Sequence, residues 1–338
     1  MKAVQIIEPG IVKVINMQKP VPCRGEVLLK IKYVGFCGSD LSTYLGKNPM
    51  VSYPRIPGHE IAAVIDCVGP DVPDNFCKGQ KLTVIPYTHC GNCATCKRGR
   101  FNACENNQTL GVQRDGAMAE FITVPWEKLL SAPTLTDVER ALTEPLTVGF
   151  HAIDRGRVSS LDIVMVLGCG MIGAGAIAGA VRRNAKVIAV DIDDVKLSKA
   201  MAIGATYSIN TAKTNLHDKI QDILSGRAPD VVVEAVGNPV TYKVAIEEVA
   251  FAGRVVCIGY AKNDISFTTK LWVQKELDIL GSRNATPENF REVITMFSSA
   301  NFPLEEVITR IVKPEEAAVA FQEWKHDPGK VFKLILSF

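Results

Sequence analysis

The sequence predicts an α/β protein in two parts, a β-rich unit followed by an open, doubly wound parallel sheet. Three observations carry that prediction. Through about residue 146, short β-branched runs are separated by Pro and Gly turns, as in β-rich folds. From about residue 161, Val/Ile-rich runs alternate with helical stretches, the pattern of parallel strands buried on both faces. Between the first of these runs and the first helix stand Gly168, Gly170 and Gly173, spaced G-x-G-x-x-G. A length of 338 residues suits about two domains at ~150 residues each.

In chain order, "EVLLKIKYVGF" and "EIAAVIDCVG" are the clearest strands of the first unit. The second unit contributes "IVMVLG", "KVIAVD", "ATYSIN", "DVVVEAVG", "GRVVCIG" and "LDILGS", with helices expected after Gly170, Asp193, Asn215, Pro239 and Lys270. Next comes a helical "TPENFREVITMFSS", with Thr286 as N-cap and Pro287 in the first turn. The strand-like end "KVFKLILSF" is expected to return to the first domain. The expected division is therefore 1–146 with 285–338, and 147–284.

With 38 Lys+Arg against 36 Asp+Glu the net charge is +2, and no basic block interleaved with aromatics would track a phosphate backbone. Nucleic acid is not an expected partner. The N-terminal "MKAVQIIEPGIVKV" meets Pro9 and Gly10 before a signal-type apolar run can form. Glycines interrupt the longest apolar stretch, near 163–181, so no membrane association is expected and the chain reads as cytoplasmic. Ten cysteines in that setting are expected as thiols and metal ligands rather than disulfides.

The three glycines have separate uses. The first permits a tight turn, the second lets the backbone approach a pyrophosphate, and the third allows close helix–strand packing. The helix opening at Met171 and Ile172 turns its N-terminus to the phosphates. The next strand ends in Asp191, about 20 residues on, where a carboxylate accepts hydrogen bonds from the adenosine ribose. No arginine follows Asp191 to meet a 2′-phosphate, which favours NAD over NADP.

Residues 88–105, "THCGNCATCKRGRFNACE", hold Cys90, Cys93, Cys96 and Cys104. Four thiolates so close in sequence can close a tetrahedron around one zinc with no vacancy, a structural site. Chemistry needs a metal with an open position, and the candidates are scattered: Cys37, Ser39 and Asp40 in "GFCGSD", His59 and Glu60 in "IPGHE", Glu144 in "LTEPL". A thiolate, an imidazole and a carboxylate suit a catalytic zinc. On spacing alone such singletons are more often structural.

In order along the whole chain, "VGFCGSD", "YPRIPGHE", the cysteine lobe, "DGAMAEF", "LTEPL", the glycine turn and "GSRNATPENF" resemble zinc-dependent medium-chain alcohol and polyol dehydrogenases. The resemblance implies a GroES-like β-rich catalytic domain, completed by the C-terminal tail, joined to a Rossmann NAD-binding domain. It implies two zincs per chain, one catalytic and one structural, and a homodimer or homotetramer. Cys37 and His59 are implied zinc ligands, with Glu60 and Glu144 ligating the metal or holding its water; which glutamate touches zinc stays open. Ser39 matches the hydroxyl of a proton relay, Asp40 a carboxylate orienting His59, and Lys196 a lysine near the adenosine ribose. Glu144 stands where liver-type alcohol dehydrogenases use cysteine, so the chain is closer to the polyol and threonine dehydrogenase branch.

"YPRIPGHE", Glu144 and "GSRNATPENF" further resemble bacterial sugar-acid dehydrogenases of the L-galactonate and L-gulonate 5-dehydrogenase type and starvation-sensing dehydrogenase-like proteins. Arg283 and Asn284 follow the last strand of the parallel sheet, where ligand crevices form. A guanidinium there could bind a carboxylate bidentately or serve as a domain-interface ion pair. The expected activity is NAD-linked oxidation of a secondary alcohol in a small polyhydroxylated substrate, a sugar acid or polyol. L-threonine, a neutral polyol, or a catalytically silent NAD-binding regulatory role are the alternatives.

Overall fold

A computed structural model describes residues 1–299 and 302–338. Two compact units result, Met1–Glu144 with Thr286–Phe338, and Pro145–Ala285.

The first unit starts with a hairpin of β1 (Lys2–Glu8) and β2 (Ile11–Asn16), turned at Gly10 with φ of +81°. It continues through β3 (Glu26–Gly35), α1 (Gly38–Tyr44), β4 (Glu60–Val68), β5 (Lys81–Val84), α2 (Ala94–Lys97), β6 (Phe121–Pro125) and β7 (Leu129–Ser131). Then comes α3 (Asp137–Arg155), which carries Pro145 inside it and passes from the first unit into the second. The β-rich expectation does not include this helix. Its start is a reciprocal cap: the Thr136 amide and hydroxyl both donate to Glu139 Oε2 at 2.7 Å, and the Glu139 amide donates to Thr136 Oγ1 at 3.3 Å.

In the second unit β8 (Ile163–Leu167), β9 (Lys186–Asp191), β10 (Tyr207–Asn210), β11 (Val231–Glu234), β12 (Arg254–Cys257) and β13 (Asp278–Gly281) pair in parallel. Between them run α4 (Met171–Arg182), α5 (Asp194–Ile203), α6 (Leu216–Leu224), α7 (Pro239–Glu248) and α8 (Lys270–Gln274). The strand order is β10-β9-β8-β11-β12-β13, the doubly wound order of dinucleotide-binding sheets. Successive β8 side chains enter opposite layers, Val164 and Val166 one core, Met165 and Leu167 the other. Helices on both faces therefore explain why β8 and β11, in the middle of the sheet, are buried along their whole length, while β10 and β13 at its edges keep exposed residues.

The chain returns through α9 (Pro287–Ser299), α10 (Leu304–Val307), β14 (Arg310–Val312), α11 (Ala317–His326) and β15 (Leu334–Ser337). β15 pairs antiparallel with β3, matching Ile335 with Gly35, so the tail joins the first unit's sheet in the order β14-β15-β3-β4-β5-β7, with β6 also on β3. Val34, Ile61, Phe36 and Phe321 fill the core beneath that junction. Burying each contributes about 1.5–3 kcal/mol. Among the described residues, no helix is long and apolar enough to cross a membrane.

Candidate functional site

Antiparallel pairing brings the scattered candidates together. The last residue of β3, Gly35, lies opposite the first of β4, Glu60, so Cys37 and His59 flank one sheet end. A Cβ at Gly35 would stand 1.8 Å from Glu60 Oε2, so only glycine leaves room for the carboxylate. Gly58 plays a second part, at φ of +98° and with a Cβ that would meet Val34 at 2.7 Å, in turning the chain before His59. Ligand atoms of Cys37, His59 and Glu60 lie within 4.8 Å of one another. Glu144, 3% exposed on α3, faces the same group closely enough for its charge to act on His59 and Glu60.

Two buried donors hold the two glutamates. Lys333 Nζ reaches both Glu60 oxygens at 2.8 Å and the Phe36 carbonyl at 3.0 Å, using all three ammonium protons. The Tyr87 hydroxyl donates to Glu144 Oε1. Sequence reasoning finds neither residue, since nothing local marks a lysine or tyrosine that folding will bury against a carboxylate. Asp40 differs from its expected part. Its carboxylate accepts from the backbone amides of Cys37 at 2.9 Å and Gly58 at 3.4 Å, capping α1 rather than bonding the imidazole. The Gly58 amide it accepts from belongs to the residue before His59.

Burial alone depresses the His59 imidazole, yet Cys37 beside it, with Glu144 and Asp40, holds its pKa well above the ordinary value. Burial pushes the Glu60 carboxyl up to about 7, against the opposing Lys333 ammonium and with the Glu144 charge adding to the rise. Such a group calls for a cation. His59 Nδ1 and Ser39 Oγ are buried without a hydrogen-bond partner. One sulfur, one imidazole nitrogen and a carboxylate oxygen within 4.8 Å of one another fit a zinc ion that keeps a position open.

The cysteine lobe is of a different kind. Sγ of Cys104 lies 3.6 Å from that of Cys90 and 3.8 Å from that of Cys93, and all four sulfurs fall within 4.8 Å. With Zn–S bonds of about 2.3 Å, a tetrahedron has edges of roughly 3.8 Å. Backbone amides point at the sulfurs, Cys90 N to Cys104 Sγ at 3.3 Å and Cys93 N to Cys90 Sγ at 3.4 Å, favouring thiolates. Four sulfurs fit one zinc with no vacancy.

In the second unit a groove of about 660 Å³ is lined by Gly168, Gly170, Asp191, Ile192, Lys196 and Thr241, among others. Gly168 has φ of +91°, and a Cβ at Gly173 would lie 1.8 Å from the Gly168 carbonyl oxygen. A Cβ at Gly170 would meet nothing within 4 Å, leaving space at the N-terminus of α4, whose first residues are Met171 and Ile172. A helix N-terminus with open space before it suits a phosphate. Asp191 accepts from the amides of Cys169 at 2.8 Å, Ile192 at 2.8 Å and Asp193 at 3.1 Å, tying the strand end to the glycine turn. Ile192, absent from the sequence candidates, is 70% exposed and offers an apolar wall to the groove. Arg283, exposed, and Asn284, half-buried with φ of +53°, follow β13 in this second unit.

A family model of the alcohol dehydrogenase GroES-like domain matches residues 23–134, and one of zinc-binding dehydrogenase matches 172–299. A zinc-type alcohol dehydrogenase-like protein of Haemophilus influenzae is 34% identical over 98% of this chain and 97% of its own. The L-galactonate-5-dehydrogenase of Escherichia coli K12 is 32% identical over 86% of this chain and 85% of its own. The crystal structure of the RspB alcohol dehydrogenase of E. coli CFT073, complexed with NADH, matches with a TM-score of 0.93 at 31% identity, covering 100% of this chain and 99% of that one. Likeness of this extent, from the first strand to the last, makes the chain a member of the zinc-type medium-chain polyol dehydrogenases, and an oxidoreductase.

Proposed function

We propose that this enzyme reversibly oxidises a secondary alcohol of a sugar acid or polyol to a ketone, with NAD as hydride acceptor. The observation that supports the reading most is the group of half-buried Cys37 with buried His59 and Glu60, and buried Glu144 facing it. Zinc at Cys37, His59 and one of the glutamates would supply a Lewis acid that acidifies an alcohol, and NAD the electron chemistry.

The remaining work falls to side chains and backbone. Ser39, with a buried hydroxyl that has no partner, relays the proton leaving the substrate hydroxyl toward solvent, giving up its own hydroxyl proton as it takes the substrate's. Lys333 offsets the Glu60 charge, and a buried ion pair of this kind excludes water from one side of the group. The glycine turn and the first amides of α4, at Met171 and Ile172, receive the pyrophosphate. Asp191 accepts the ribose hydroxyls, and Lys196 lies along the same groove. A 2′-phosphate would bring negative charge to Asp191, with Ile192 rather than an arginine next in the chain, so NAD is preferred to NADP.

For the substrate, Arg283 can grip a carboxylate bidentately and Asn284 can donate beside it. The likeness to L-galactonate-5-dehydrogenase supports a sugar acid. The test is a screen of hexonates, polyols and amino alcohols with NAD and NADP, followed by reduced-cofactor absorbance, in wild type and Arg283→Ala. The expected result is NAD-dependent turnover of a sugar acid whose advantage over uncharged polyols disappears in the variant. Turnover of L-threonine or of a neutral polyol alone, or a preference for NADP, contradicts the corresponding part.

A further inference from the structure

We propose that Tyr87 is a positioning residue for Glu144, and that the cysteine lobe holds Tyr87 in place. The inference rests on the metal group proposed above. Tyr87 is 6% exposed and lies three residues before Cys90, in the segment leading from β5 into the lobe. That segment is laddered to the strand leaving the lobe. Tyr87 bridges Thr109, the Leu110 amide donates to the Pro86 carbonyl at 3.0 Å, and the Thr88 amide donates to the Gln108 carbonyl at 3.0 Å. Asn107 Nδ2 closes the base by donating to the Thr88 carbonyl at 2.9 Å. Residues 86–88 and 107–110 are therefore the two sides of the neck beneath the four cysteines. Whatever closes the lobe fixes the Tyr87 backbone.

From that neck the phenol reaches across to Glu144 on α3 and donates to its Oε1. The contrast with Glu60 explains why a tyrosine serves. Lys333 holds both Glu60 oxygens and brings a positive charge, whereas a phenol holds one oxygen and brings none. A neutral donor orients a carboxylate without cancelling the charge it presents to a metal. Partners of this kind typically change metal affinity by 10–100-fold when removed.

Tyr87→Phe keeps the ring and removes the one hydrogen bond. Metal release to a chelator and the visible spectrum of the cobalt-substituted protein are measured in wild type, Tyr87→Phe, Glu144→Gln and the double variant, with thermal melting as the control for folding. The expected result is release from the reactive group about tenfold faster in Tyr87→Phe, an altered cobalt spectrum, and lobe metal retained as in wild type. In the Glu144→Gln background, Tyr87→Phe adds nothing, because it acts through that carboxylate. An unchanged release rate and spectrum in Tyr87→Phe, or an equal acceleration in the Glu144→Gln background, overturns the inference. A wild-type chain that holds metal in the lobe alone overturns the metal group beneath it and this inference together.

Discussion

The two ligand sets of this chain differ in how they are built. The lobe draws four identical donors from residues 90–104, and its sulfurs are steered by backbone amides of the same loop. The second set takes unlike donors from the turn after β3, the start of β4 and the middle of α3, and side chains from elsewhere hold its glutamates, Lys333 from the tail and Tyr87 from the lobe's neck. A closed set of four identical donors stabilises a loop; a mixed set of three unlike donors leaves a position for chemistry. The first is local and folds on itself, while the second exists only once the sheet has formed.

The largest expected effect breaks the mixed set. Cys37→Ser or His59→Ala should lower kcat/KM by more than about a thousandfold, the scale of a lost Lewis acid, while the NADH dissociation constant stays within about twofold. Steady-state kinetics and fluorescence titration check the two halves. Next comes the support of that set. Lys333→Met leaves Glu60 buried without its cation, and denaturant unfolding should show a loss of about 3–5 kcal/mol, because an uncompensated charge is then desolvated. Adding Glu60→Gln to Lys333→Met should restore much of that stability. Smallest is the reach of the lobe. Cys96→Ser should remove one metal per chain and lower kcat by about tenfold through Tyr87, with NADH affinity unchanged.

The same difference governs what the sequence makes legible. The central strands of the second unit, β8, β9 and β11, are short Val/Ile runs and form where those runs lie, because burial on both faces leaves an apolar signature along them, whereas β10 and β13 keep polar or exposed residues and are marked more by their place in the alternation. The cysteine lobe is legible for a similar reason, its ligands being neighbours in the chain. Cys37, His59, Glu60 and Glu144 carry no such signal individually, and the resemblance to a family, rather than their spacing, picks them out. Helix α3 had a usable mark in Thr136 and Glu139, obscured by Pro145 in its interior and by strand-like surroundings. Lys333 and Tyr87 had none. Their roles arise from β15 lying on β3 and from the lobe's neck folding toward α3, long-range events that no window of sequence contains. Asp40 marks the limit of carrying a role across by position: near the right residue, it engages backbone amides instead of the ring.

Counting zinc per chain in purified, unchelated protein tests the central distinction most directly. Wild type should hold two, and Cys37→Ser and Cys96→Ser one each, with the metal lost from the reactive group in the first and from the lobe in the second. One zinc in the wild type, or two retained in Cys37→Ser, would contradict the assignment of a separate metal to Cys37 and His59.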